Sequence, residues 1–223
     1  MYYKQKKLTF HLNMNSFIVY FLFLIFPSLV YSHHPLNGGM MEDFSDGFLS
    51  GIGHPILGLD HLIFILGVGL ISYLSKKLFN FSFSFIGGTF LGMFSIIFGL
   101  YLPFYEIIVS LTLLLLGYLI LIKHQANSKG FIFLLFGIFH GWAYGSILLE
   151  LPQIDLNVVF GYSTGLLITQ ILIVFLGYQF FKYVIGFKFK TNLVVPIFSG
   201  ILVGIASTKL FEIFESGIIN ILN

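Results

Sequence analysis

The chain has 223 residues, 57% of them hydrophobic and only 9% charged, with a formal net charge of +2 and a mean hydropathy of +0.97. An ordinary soluble domain carries about 25% charged residues, so these proportions exclude a water-covered globule and predict an all-α, polytopic membrane protein. The absence of Cys removes disulfides and thiolate ligands, and the absence of Arg removes bidentate phosphate recognition and any arginine-rich nucleic-acid stripe.

Residues 1–32 read as a cleavable signal peptide. Lys4, Lys6 and Lys7 make a positive n-region, Phe17 to Phe26 an apolar h-region, and Val30-Tyr31-Ser32 a small-residue cleavage site. Cleavage leaves a domain of residues 33–223 that opens with His33-His34 on the outer side. Six apolar runs follow, at Ile56–Leu74, Phe79–Leu102, Phe104–Ile122, Phe131–Leu149, Val158–Phe181 and Leu193–Leu210. Each approaches the roughly 20 residues that a bilayer crossing needs. The tail Phe211–Asn223 carries Glu212 and Glu215 and is expected along the interface.

Loop charges set the orientation. Lys76 and Lys77 fall in the first loop, Lys123 and Lys129 in the third, and Lys182, Lys188 and Lys190 in the fifth, which makes that side cytoplasmic. Glu42, Asp43, Asp46, Glu106, Glu150, Asp155, Glu212 and Glu215 lie in the opposite set, and Lys209 alone breaks the segregation. Both mature termini are therefore expected outside, in the inner (plasma) membrane of a bacterium. Gly88 and Gly92, Gly161 and Gly165, Gly200 and Gly204, and the triple Gly137, Gly141 and Gly145 have the spacing that lets helices approach closely in lipid.

The chemistry concentrates in two places. At the mouth of the first span, Gly-His-Pro-Ile-Leu-Gly-Leu-Asp-His over residues 53–61 brings His54, Asp60 and His61 together. An ionisable group in a span costs on the order of 3 kcal/mol by insertion scales and marks a functional site. Imidazole and carboxylate are ligands for a divalent transition metal. In the first span His54 and His61 are seven residues apart, two helical turns, and so are expected to share a face, with Pro55 in the first turn of the helix. The second place is Phe139-His140-Gly141-Trp142-Ala143-Tyr144-Gly145 in the fourth span. There His140 falls near mid-membrane, Tyr144 lies one turn on, and the glycine-lined face invites another helix, taken to be the first. Glu150 and Asp155, with Glu106, read either as an acidic vestibule or as a solvated rim. Gln170 and Thr169 are polar in the fifth span, and His33 and His34 are weaker metal-capturing candidates. His124, beside Lys123, reads as a loop residue.

The chain resembles the HupE/UreJ family of nickel and cobalt permeases. That family's first-helix signature is matched by His54, Pro55, Gly58, Asp60, His61 and Gly69, and its Phe-His-Gly signature by Phe139, His140 and Gly141. The order of signal peptide, short His-bearing segment and six spans is also similar. Two positions depart: Tyr144 stands where many members have a second His, and Ile147 where they have Glu, with Glu150 three positions later. The resemblance implies a permease rather than an enzyme, with Ni²⁺ or Co²⁺ as transported substrate and no tightly bound cofactor. Its metal residues are His54, Asp60, His61 and His140, with Tyr144 and Glu150 weaker. The residues alone leave two other readings open, an intramembrane zinc hydrolase and an accessory subunit that holds metal for a partner. No phosphate-binding loop occurs, so the expected partners are a divalent metal and the bilayer, without nucleic acid or ATP.

Overall fold

The computed structural model describes residues 41–100, 102–122, 130–188 and 191–222. The expected signal peptide, His33, His34 and His124 lie outside the described residues.

Among the described residues every regular element is helical. In chain order they are α1 (Phe44–Leu57), α2 (Leu59–Ser75), α3 (Leu78–Ile97), α4 (Tyr105–Leu121), α5 (Gly130–Gly145, continued by a 3-10 turn Ser146–Glu150), α6 (Leu156–Tyr183, ending in a π turn) and α7 (Thr191–Leu222). The helices α2 to α7 fall in order on the six apolar runs. Four helices, α3, extended α5, α6 and α7, are long and apolar enough to cross a bilayer, and α1 with α2 makes a fifth if the bent pair is one span. With 17 residues each, α2 and α4 are about 25 Å long, shorter than the roughly 30 Å hydrocarbon layer. Phe83, Leu111, Leu115, Phe160, Phe175 and Ile197 are all exposed on the outside of the bundle, the surface expected of a protein whose solvent is lipid.

The helix α1 was not expected. It begins at Asp43, whose carboxylate accepts from the Asp46 amide at 3.0 Å while Asp46 accepts from the Glu42 amide at 3.0 Å, a reciprocal cap that satisfies free donors of the first turn. It ends at Gly58, and the chain turns through 76° into α2. His54 and His61 are therefore on two helices rather than on one face of a single helix, and Pro55 lies in the last turn of α1 rather than in a first turn. The tail beyond Leu210 is likewise no separate segment: α7 runs unbroken to Leu222.

Two helix pairs are joined by glycine. Cβ atoms on Gly47 and Gly51 of α1 would collide with the Val158 and Tyr162 carbonyls of α6, and those on Gly161 and Gly165 with the Phe44 and Phe48 carbonyls of α1. Gly88 and Gly92 of α3 meet the Leu134 and Ile138 carbonyls of α5, and Gly137 and Gly141 of α5 meet the Phe85 and Thr89 carbonyls of α3. The glycine face of α5 thus receives the second span, not the first. Gly200 and Gly204 have nothing within 4 Å. Between the two pairs runs α2, buried without a break from His61 to Ser72, the pattern of a central helix that is apolar all round. Gly69 lets it press on α6, since a Cβ there would lie 2.9 Å from the Val174 carbonyl and the Tyr178 amide.

Candidate metal site

The bend at Gly58 builds the mouth of the site. A Cβ on Gly58 would stand 2.8 Å from the His61 ring and 3.2 Å from an Asp60 carboxylate oxygen, so only glycine leaves room for both side chains. Asp60 lies in the first turn of α2, where the positive end of the helix dipole favours a carboxylate. The same turn aims Asp60 and His61 into a cavity of about 370 Å³. His54, Glu106, Ser110, Glu150 and Lys209 also line it. The cavity sits where α2 and α4 begin and α5 ends. That is the acidic end of the bundle, opposite Lys76 and Lys77. Glu106 and Glu150 face it as the vestibule reading expected. Asp155 instead caps α6, accepting from the Asn157 amide at 2.7 Å.

Behind His61, which lines the cavity floor, the first and fourth spans meet through side chains. His61 Nδ1 lies 3.2 Å from His140 Nδ1, and both rings are buried. His140 Nε2 is 3.0 Å from Thr112 Oγ1, whose hydroxyl is 2.6 Å from the Val109 carbonyl. A carbonyl only accepts, so Thr112 gives its proton to Val109 and His140 Nε2–H donates to Thr112. The neutral His140 ring therefore turns its lone pair, on Nδ1, toward His61.

His54 is held by an equivalent chain. The Tyr162 hydroxyl donates to the Tyr144 carbonyl at 2.8 Å, so the His54 Nδ1–H, 2.8 Å away, donates to Tyr162 and the lone pair is on Nε2. Metal-binding imidazoles are commonly fixed in this way by the hydrogen bond at the other nitrogen. Thr112 and Tyr162 were not singled out from the sequence. Tyr162 had a usable signal, being a hydroxyl between the packing glycines Gly161 and Gly165. Thr112 had none, because a Thr in an apolar helix bonds its own backbone whether or not it also holds a histidine.

Tyr144 packs against all three imidazoles. Its ring centroid lies 4.5 Å from that of His61, 5.1 Å from His54 and 6.5 Å from His140. Its buried hydroxyl has the Gln170 side chain as its polar neighbour, and Gln170 Nε2 reaches Thr89 Oγ1 at 3.4 Å. Toward the lysine end His140 is closed off by rings: Phe64 packs on it at a tilt, 4.1 Å between ring centres, and Phe85 lies at 5.7 Å, with Phe81, Phe133 and Phe136 buried behind them.

Among the described residues no three His, Asp or Glu side chains stand close enough together to grip one ion. The tightest element is the His61–His140 pair. Two nitrogens each about 2.0–2.1 Å from a single ion and 3.2 Å apart subtend roughly 100°, so the observed separation suits a shared metal as well as a shared proton.

The family model described as HupE / UreJ protein matches residues 21–210. Protein HupE of Rhizobium leguminosarum bv. viciae is 30% identical over 162 residues, which is 69% of this chain and 76% of that protein. No solved structure matches the chain.

Proposed function

The chain belongs to the HupE / UreJ family, and on that premise we propose that it is a permease carrying a divalent transition-metal ion, Ni²⁺ or Co²⁺, across the membrane into the cytoplasm. Residues α2 to α7 are read as six spans in the inner membrane, with the acidic end and both mature termini outside. The observation that carries this reading is the buried His61–His140 pair, 3.2 Å apart, whose His61 lines a cavity with Asp60, Glu106 and Glu150.

In this reading the outer carboxylates gather the hydrated cation, and Asp60 offsets part of its dehydration. His54, His61 and His140 then replace water stepwise. Imidazole suits nickel among the first-row dications, and the lack of any thiolate argues against copper(I). Tyr144, where many members of the family carry His, gives an aromatic wall in place of an imidazole, so the ion keeps one ligand more from water than a second histidine would allow. Release requires the Phe64 and Phe85 side chains to move aside. Because a proton and a metal compete for the same seam between His61 and His140, entry of the ion displaces a proton. A membrane potential supplies about 2.3 kcal/mol per charge per 100 mV, hence roughly 4.6 for a dication.

The deciding experiment is uptake of radioactive nickel and of cobalt by proteoliposomes that hold only this protein, with the potential imposed and then collapsed. Potential-dependent accumulation is expected. Binding without accumulation would replace the permease by a membrane subunit that holds metal for a partner.

A further inference from the structure

Among the described residues Lys209 is the single lysine on the acidic side of the bundle, and no candidate ligand needs it. It lines the cavity with Asp60, Glu106 and Glu150 although it belongs to α7, which contributes none of the candidate ligands. Its ammonium is 3.2 Å from a Glu212 carboxylate oxygen one turn further along α7. Glu212 is 62% exposed and Lys209 38%, so the pair sits at the rim with the lysine on the inner side. A cation at the mouth of a cation path opposes what the mouth gathers. An exposed pair of this kind adds little to stability, so folding alone does not account for its position.

We propose that Lys209 is an affinity-limiting residue: a tethered ammonium that competes with the arriving dication for the Asp60, Glu106 and Glu150 carboxylates. This rests on the metal-uptake reading of the same cavity. With Glu212 at the rim, four carboxylates and one ammonium leave the mouth at −3. Without Lys209 the mouth stands at −4, holds the ion more tightly and releases it inward more slowly. A transport site must bind weakly enough to let go, and Lys209 sets that limit by charge rather than by ligation. Glu212 keeps the ammonium at the rim, where it leaves the path open.

The test uses the full chain in nanodiscs, with Co²⁺ titrated by its visible absorption, and in proteoliposomes for uptake. Lys209→Met should lower the apparent Kd about three- to tenfold at low ionic strength. In uptake it should lower both KM and the maximal rate. The difference should fade as NaCl rises to about 0.5 M, where the screening length falls to a few ångströms. Lys209→Arg, which restores the charge, should return the affinity to the original range, and Lys209→Gln repeats the neutralisation should the Met variant fail to fold. Equal or weaker Co²⁺ binding in both neutral variants, or a gain that high salt leaves untouched, overturns the proposal. Should the unsubstituted protein bind Co²⁺ and lose it on Asp60→Asn while Lys209→Met changes nothing, only the role of Lys209 falls. Failure of the unsubstituted protein to bind Co²⁺ or Ni²⁺ at all would remove the uptake reading and this one with it.

Discussion

His54 and His140 are held by the same device and put in opposite surroundings. In each, a ring N–H donates to a hydroxyl, Tyr162 or Thr112, and that hydroxyl donates to a backbone carbonyl. Each ring is thereby fixed in one tautomer with its second nitrogen available. His54, however, ends α1 at the side of the cavity and is only partly buried, whereas His140 is fully buried between Phe64 and Phe85. The comparison teaches that the tautomer-setting chain prepares a ligand, while burial decides what the ligand does. At the mouth, water competes and binding is loose. At the floor, ligation has to replace hydration, because nothing else near the ring can solvate an ion.

The largest effects should come from the charge at the mouth and the imidazole beneath it. Asp60→Asn keeps size and hydrogen bonding but removes a charge beside the path. His140→Ala removes the deepest imidazole. Each is expected to cut nickel or cobalt uptake by on the order of 100-fold or more, with folded protein still in the membrane by gel filtration and circular dichroism. Uptake at normal rates by well-expressed Asp60→Asn would dismantle the site as drawn.

The two hydroxyl chains give the sharpest contrast. Thr112→Val is expected to weaken Co²⁺ binding roughly 10- to 100-fold, the usual cost of losing the group that orients a metal-binding imidazole. Tyr162→Phe should cost about tenfold or less, because His54 is open enough for water to take over the acceptor role. Equal losses in both, measured by Co²⁺ titration, would mean that burial does not separate the two histidines after all.

Packing around the floor should matter next. Gly141→Ala places a Cβ against the Thr89 carbonyl beside His140, and a thermal melt in detergent should show a loss of about 1–3 kcal/mol, typical of overpacking. Gly200→Ala, with nothing within 4 Å, should stay within about 0.5 kcal/mol. The smallest effect is expected at His124, read from the sequence as a loop residue beside Lys123: His124→Ala should leave uptake as it was.

Much of this was written in the order of residues. Hydropathy located a helix on each of the six apolar runs, because in lipid a segment must both be apolar and satisfy its own backbone, although the last helix runs twelve residues beyond its run, to Leu222. The cost of ionisable groups in such segments singled out Asp60, His61 and His140. The pairing Gly88–Gly92 with Gly137–Gly141 was visible as spacing, although the partner assigned to α5 was the wrong helix. What failed were inferences that needed a partner in space. His54 and His61 looked like neighbours on one helix, since a 3.6-residue period says nothing about a 76° bend. The helix α1 escaped notice because its glycines serve contact with α6 rather than local preference, and mean hydropathy dips where Asp43 and Asp46 cap it.

By itself, then, the sequence determined the helical class, the apolar segments, the segregation of Lys from Asp and Glu, and the identity of the candidate ligands. Each of these follows from side-chain transfer energies that act residue by residue. Only the tertiary structure decided which hydroxyl fixes which imidazole and that His61 and His140 face each other at 3.2 Å. It also decided that Glu106 and Glu150 share the cavity while Asp155 does not, and that Lys209 stands among the carboxylates. Those are distances between residues as many as 149 positions apart in the chain, from Asp60 to Lys209. They are set by how glycine-lined helices close on one another, which no local pattern encodes.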